Sequence, residues 1–487
     1  MLVRLGFEDI KIVLRDTGSL LKWSSVLLLA PILIALWFRE SFDFISTYIL
    51  TAVFCFLLGI VLKKVFYTEE ETGMKHAFTT VALSWILFTA ISAFPFVLIT
   101  GMTFVDSMFE VMSALTTTGL SMMGVYIDSA PASLIFWRSL LSWIGGVGII
   151  VLALMGILTT YTKSSKLMIA EGHEDRIRPN LKNTAKEIWM IYALLTVIAI
   201  VVLFFAGMDI FSSINYAMSA ISTTGMDTTS TGLAGGENSL ILIALGGIML
   251  VGATSFSVHY MLLRKKHLGA YLEDTEVKAL VLVLLVSVAM VLPKAALFYG
   301  DTLIALEIVF FHNISALTCG GFYSVPLLDI NLWDDFMYLI ILILMVIGGS
   351  SGSTAGGIKL SRFVIFSKSV YWKVKEAILP KNAIFQRNFE GKNLDNGAIR
   401  EVNQFILLYF GFILLGVGVL TFQGIDLRQA LFEVISAQGN VGLSIGVTNI
   451  YMPLASKIAL FMNMWIGRLE IIPLLSAVGF ALSFKKD

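Results

Sequence analysis

The chain is 487 residues long, 57% hydrophobic and only 14% charged, with a mean hydropathy of +0.86. Soluble domains carry about a quarter charged residues, so this composition excludes a water-soluble globular protein and predicts a polytopic membrane protein. Lys plus Arg and Asp plus Glu both number 34, so net charge points to no charged partner, and two cysteines, Cys55 and Cys319, exclude a disulfide framework.

In chain order, the first two apolar segments lie at about 22–38 and 43–62. The first follows Lys22 without a small-residue cleavage site, which reads as a retained helix rather than a signal peptide. After this N-terminal region, 1–74, come four units of span, short helix, Gly loop and span: 75–162, 186–266, 275–375 and 399–487. In the first unit the pieces are a span at 76–99, a short helix at 104–115, a loop at 116–121 and a span at 134–160. Charged linkers at 163–185 and 376–398 separate units, and neither is long enough for a soluble domain. The expected fold is therefore all-α and polytopic. Ten transmembrane helices, each near the roughly 20 residues a bilayer needs, comprise two N-terminal spans and four pseudo-repeats around one central pore.

Orientation follows from the basic residues. Of the 34 Lys and Arg, only Arg39, Arg138, Lys294, Arg428, Lys457 and Arg468 fall on one side of the alternating loops. The rest mark the other side as cytoplasmic, with both termini there and the Gly loops opening outward in a plasma membrane.

A phrase recurs at the end of each short helix: Ser113-Ala114 with Gly119, Ser219-Ala220 with Gly225, Ser315-Ala316 with Gly321, and Ser436-Ala437 with Gly442. A single copy is ordinary small-residue packing between membrane helices. Four copies at one place in four units read instead as re-entrant segments meeting on an axis, where backbone carbonyls replace the water around a cation. The candidate filter residues are Thr117, Thr118 and Gly119; Thr223, Thr224 and Gly225; Cys319, Gly320 and Gly321; and Asn440, Val441 and Gly442. Glycine suits a backbone conformation other residues adopt at a cost, and the preceding helix C-termini direct their negative dipole ends at the same place.

The second span of the third unit breaks into Gly348–Gly357, ten residues of which five are Gly. Such a stretch does not hold a helix at about 1 kcal/mol per Gly relative to Ala. The apolar run before it covers half a bilayer, so the break lies at membrane depth and lines a cavity. Its Gly348, Gly349, Ser350, Gly352, Gly356 and Gly357 are candidate gate residues. The alternatives are a plain hinge and a phosphate loop, and the latter lacks the Gly-Lys-Ser/Thr that phosphate binding needs.

Arg468 lies inside the last apolar segment, where a charge is a functional hypothesis by default: a pore-facing barrier beside the glycine run, or an ion pair between units. Glu110 and Glu433 sit three residues before Ser113 and Ser436, as anchors of the short helices. Asp227, Asp329, Asp334 and Asp335 give the outer mouth a mild negative field or are solvated loop charge. The histidines do not cluster at ligand spacing, so no structural metal site or organic cofactor is expected.

With these motifs in hand the chain resembles, over essentially its whole length, the TrkH/TrkG membrane subunits of bacterial and archaeal potassium uptake systems. The match rests on the four filter glycines, the glycine run and the Gly467-Arg468-Leu469-Glu470 stretch. The resemblance implies a potassium ion in the filter and a gate formed by the glycine run with Arg468. It implies a homodimer with one pore per protomer, and a cytosolic TrkA-type ring that binds ATP, ADP or NAD and moves the gate. In relatives that favour sodium the first filter Gly is often Ser, so Gly119 favours potassium. Loops three and four depart furthest from Thr-Thr-Gly.

The expected function is channel-like potassium uptake with no enzymatic activity. The rivals are a potassium or sodium transporter coupled to H+ or Na+, for which Glu470 is the main deep acid, and an intramembrane enzyme, for which no nucleophile and base converge.

Overall fold

A computed structural model of the chain describes residues 6–148, 181–235, 238–326, 331–380, 386–390 and 392–482. The second half of the 134–160 span, most of the 163–185 linker, part of the 376–398 linker and Asp329 lie outside these residues. The described chain is almost wholly helical, apart from a two-residue antiparallel hairpin, Asn388–Phe389 with Lys392–Asn393, inside the second linker.

Helix α1 (Phe7–Ser24) continues through a tight turn into α2 (Ala30–Trp37). The sequence places the first span at about 22–38, yet the helix starts at Phe7 because its charged residues have partners. Arg15 is buried and donates to Thr68 O at 2.6 Å, Glu70 O at 3.0 Å and Asp16 Oδ1 at 2.9 Å. Helix α3 (Phe42–Val65) packs against α1 at a small-residue contact, where a Cβ on Gly18 would stand 2.7 Å from Gly59 O. Helix α4 (Met74–Ser92) runs into α5 (Phe94–Thr100).

Four short helices follow one construction: α6 (Phe104–Leu115), α9 (Ile210–Ile221), α14 (Thr302–Leu317) and α18 (Leu427–Gly439). Each is preceded by a positive-φ glycine and capped by a side chain, from Thr103, Asp209, Asp301 and Asp426, which accepts a first-turn N–H. The other helices around them include α7 (Ala132–Val147), α8 (Leu181–Phe205), α10 (Ser239–Gly252), the single turn α12 (Ala270–Glu273), α13 (Thr275–Tyr299), α15 (Asp335–Ile347), α17 (Asn396–Phe422) and α19 (Leu454–Arg468).

A bend is present where the sequence suggests continuous spans. Helix α10 meets α11 (Phe256–Leu263) at 100°, and α19 meets α20 (Ile472–Leu482) at a break over Leu469–Ile471. Among the described residues, α15 alone, interrupted before α16 (Leu360–Ile378), breaks at a glycine run visible in the sequence. At the other breaks a single glycine receives the end of a short helix. A Cβ on Gly252 would meet Ile221 O at 2.6 Å and a Cβ on Gly467 would meet Gln438 O at 2.2 Å, while Gly145, near the end of α7, would meet Leu115 O at 1.9 Å. Among the described residues, six helical runs are long and apolar enough to cross a membrane, and eight if each bent pair is one span. Large apolar side chains such as Leu33, Phe205, Leu297 and Phe422 stay exposed on these helices, as a lipid-facing surface requires.

Candidate ion-conduction site

The short helices end toward one another. In each, the N–H two residues past the last helical turn returns to the Ser of the repeated phrase: Thr118 N to Ser113 O at 2.8 Å, Thr224 N to Ser219 O at 2.9 Å, Gly320 N to Ser315 O at 2.7 Å and Val441 N to Ser436 O at 2.9 Å. The preceding N–H returns to the Ala: Thr117 to Ala114, Thr223 to Ala220, Cys319 to Ala316 and Asn440 to Ala437. This pair of bonds is a Schellman cap, which needs a left-handed residue between helix and loop. Thr117, Thr223, Cys319 and Asn440 occupy it, with φ of 53°, 54°, 58° and 51°. The Ser hydroxyl completes the cap in three loops, accepting from Gly119 N at 3.0 Å, Met226 N at 2.7 Å and Gly442 N at 3.0 Å. The Ser-Ala…Gly phrase is thus a capping signal, a role that sequence reading missed although its spacing carries it.

The candidate filter glycines follow with φ of 98°, 77°, 71° and 92° at 119, 225, 321 and 442. Their neighbours close a ring. A Cβ on Gly119 would lie 1.9 Å from Thr224 O, one on Gly225 2.5 Å from Gly320 O, one on Gly321 2.4 Å from Val441 O, and one on Gly442 2.1 Å from Thr118 O. Loop one thus touches two, two touches three, three touches four, and four touches one. Thr117, Thr118, Thr223, Thr224, Cys319 and Asn440 are all fully buried.

Behind the ring, buried carboxylates tie two of the short helices to the chain that follows the glycines. Glu110 accepts from Met122 N at 2.6 Å and Ser121 Oγ at 3.1 Å, and Arg138 Nε lies 2.5 Å from it. Glu433 accepts from Ser444 Oγ and Thr448 Oγ1, both at 2.6 Å, and from Ile445 N at 3.0 Å. Arg138 also donates to Asp227 O at 2.6 Å, which joins the first loop to the second. Lys457 and Asp106 pair at 2.5 Å and join the fourth to the first. Replacing Arg138 by Ala is expected to cost about 3–5 kcal/mol, because it strands the Glu110 carboxylate in a dry site. Thermal unfolding in detergent checks this, with an unchanged midpoint ruling the pair out as a structural tie.

The acidic residues expected at the outer mouth have cationic neighbours. Asp334 pairs with Lys294 at 3.1 Å and Asp335 with Arg428 at 3.3 Å, so the field expected there is partly cancelled. Burial pushes the Asp227 carboxyl up to about 7, against the pull of the Arg138 guanidinium. Asp227 is then neutral well below pH 7 and anionic above it. Cation entry is expected to rise as external pH passes upward through about 7, and D227N is expected to flatten that rise, as ion-flux profiles would show.

The glycine run lies against the ring on the side of its capping residues. Its base is closed by Ile358 N to Val346 O and Lys359 N to Ile347 O, both at 3.0 Å, so 348–357 projects as a loop from adjoining chain ends. Ser350 N donates to Ala253 O at 2.9 Å, and Thr354 Oγ1 donates to Ile221 O at 3.0 Å and Gly252 O at 2.9 Å. Glu276, at the start of α13, accepts from Ser351 N at 2.6 Å. A Cβ on Gly356 would meet Gly439 O at 2.2 Å, and one on Gly349 would meet Ala253 O at 3.0 Å. Gly348, Gly349, Ser350, Gly356 and Gly357 are buried, and Gly352 is half-buried with its O accepting from Phe256 N at 3.0 Å.

Arg468 joins the loop to the ring. Its guanidinium donates to Thr354 O at 2.8 Å, Thr117 Oγ1 at 3.2 Å, Gly145 O at 2.5 Å and Gly146 O at 3.1 Å. Glu470 does not pair with it. Glu470 turns to the loop base, 3.4 Å from Lys359 Nζ and 2.5 Å from Arg362 Nη2. Among the described residues, no group of His, Cys, Asp and Glu has the arrangement of a metal site.

The family described as TrkH, cation transport protein, matches residues 45–483. An uncharacterized cation transporter of Methanocaldococcus jannaschii is 32% identical over 475 residues, covering 97% of this chain and 96% of that protein. The Trk system potassium uptake protein TrkG of Escherichia coli is 29% identical over 488 residues, covering 97% and 98%. The crystal structure of the potassium transporter TrkH from Vibrio parahaemolyticus superposes with a TM-score of 0.83 at 27% identity, covering 96% of this chain and 98% of that one.

Proposed function

The chain belongs to the TrkH family of cation transport proteins, and from that premise we propose that it takes up potassium through a backbone-carbonyl filter built from four loops. The observation that carries this reading is the cyclic closure of Gly119, Gly225, Gly321 and Gly442, each against the next loop's backbone. In each loop φ is positive at the capping residue, is not at the next, and is positive again at the glycine. That alternation turns successive carbonyls toward one side, the arrangement a dehydrated cation needs. The carbonyls of residues 117–119, 223–225, 319–321 and 440–442 would coordinate the ion, with four helix C-termini adding favourable potential. The four-unit organisation, 75–162, 186–266, 275–375 and 399–487, belongs to the same reading.

The loop 348–357 and Arg468 form the gate. A guanidinium on the inner side of a cation filter opposes passage by charge, and the loop opposes it sterically. Glu470, held between Lys359 and Arg362, is a structural partner rather than a free acid, which supports conduction over proton coupling. Of the relatives named above, TrkG of Escherichia coli is a Trk system potassium uptake protein. By analogy the cytoplasmic linkers are where a nucleotide-binding regulatory ring docks on a homodimer in the plasma membrane.

The deciding experiment is rubidium-86 uptake by purified protein in liposomes, with potassium or sodium as competitor. Strong competition by potassium and weak competition by sodium is expected. Equal competition overturns a discriminating filter.

A further inference from the structure

The left-handed residue of a Schellman cap is usually glycine, because a Cβ is strained there. Here all four are side-chain-bearing and two are β-branched threonines, for which positive φ is an outlier. Strain of this kind persists where the surroundings enforce it and points toward a role for the side chain.

Three of these four buried side chains reach the gate. Thr117 Oγ1 accepts from Arg468 Nη1 at 3.2 Å. Thr223 Oγ1 lies 3.3 Å from Thr354 Oγ1. Cys319 is fully buried at the corresponding position of the third loop. Asn440 presents its Cβ 3.0 Å from where a Cβ on Gly356 would stand, and its Nδ2 donates to Thr118 Oγ1 at 2.9 Å. The gate therefore bears on the same residues whose backbone enters the filter.

We propose that Thr117, Thr223 and Asn440 are positioning residues that couple the gate to the filter, so that displacement of 348–357 lowers the filter's preference for potassium over sodium. The inference rests on the reading of 348–357 as the gate. In the closed state the loop and Arg468 brace these three strained residues. When the loop leaves, their caps lose that brace, the carbonyls that follow gain freedom, and a flexible ring discriminates less between cations of different size. Selectivity then belongs to the closed-like geometry and is traded for throughput as the gate opens.

The test measures rubidium-86 uptake into liposomes and the ratio of sodium to potassium concentrations giving half-inhibition. The proteins are the unaltered chain, T354V, T223V, the double variant and T354S. T354V and T223V are each expected to raise uptake and lower the ratio several-fold, the double variant to add little, and T354S to return the ratio toward that of the unaltered protein. Higher uptake with an unchanged ratio overturns the coupling and leaves the gate reading standing. If neither T354V nor removal of the loop raises uptake, the gate reading itself falls, and the coupling with it. Should T354V fail to elute as a single species, T117V reads the same ratio from the first loop, and an unchanged ratio there with raised uptake overturns the proposal equally.

Discussion

Replacing Gly119 by serine is expected to lower the preference for potassium over sodium by about tenfold or more, equivalent to some 1.4 kcal/mol of lost discrimination. The added Cβ would stand 1.9 Å from Thr224 O, a separation at which the two loops must move apart. Gly119 has φ of 98°, so the substitution also strains its own backbone. Both effects displace carbonyls that would face the ion, and the displaced pair spans two loops, so the ring opens rather than shifting as a body. The control is Gly101, which also has positive φ, at 75°, but has nothing within 4 Å of its added Cβ. G101A is expected to lose about 1 kcal/mol of stability through strain alone and to leave the sodium-to-potassium competition ratio unchanged. If G119S leaves that ratio unchanged as well, Gly119 does not belong to a filter.

Deleting residues within Gly349–Gly356 is expected to raise flux by an order of magnitude or more in the absence of any partner. Thr354, Ser350 and Ser351 anchor the loop through hydrogen bonds to Ile221 O, Gly252 O, Ala253 O and Glu276, and Arg468 adds a bond to Thr354 O. At about 1 kcal/mol net for each, losing several shifts a closed–open equilibrium by well over tenfold. The deletion is structurally tolerable because Ile358 N–Val346 O and Lys359 N–Ile347 O already join the loop's two ends. Uptake by the deleted protein, compared with the unaltered one at equal reconstitution, checks this. Equal flux means that 348–357 is a hinge without a blocking role.

These two expectations draw on different kinds of information. That Gly348–Gly357 interrupts a span is readable from composition, because five glycines in ten residues do not sustain a helix anywhere. That the interruption closes at its base and lies against Ile221, Gly252 and Gly439 is not, since those partners come from distant stretches of chain. Arg468 shows the same division. Its charge inside an apolar segment marks it as exceptional, yet its acceptors, Thr117, Gly145, Gly146 and Thr354, are each more than a hundred residues away. The Asp227 field was legible as sign but not as strength, because the neighbouring Arg138 arrives from another helix.

By itself the sequence determined the all-α membrane class, the place of the short helices and the glycine run. Apolar length, capping side chains and glycine content act within one stretch of chain and need no partner. The first of those helices, expected at 104–115, is Phe104–Leu115. Tertiary structure alone decided that α1 begins at Phe7, that α10 and α19 bend at their ends, and that the four loops meet in cyclic order. Each of those outcomes depends on a backbone carbonyl or a buried charge finding its partner across the fold. Hydrophobic burial is non-directional and leaves that choice open, whereas a hydrogen bond or a carbonyl against a missing Cβ admits one neighbour at one distance.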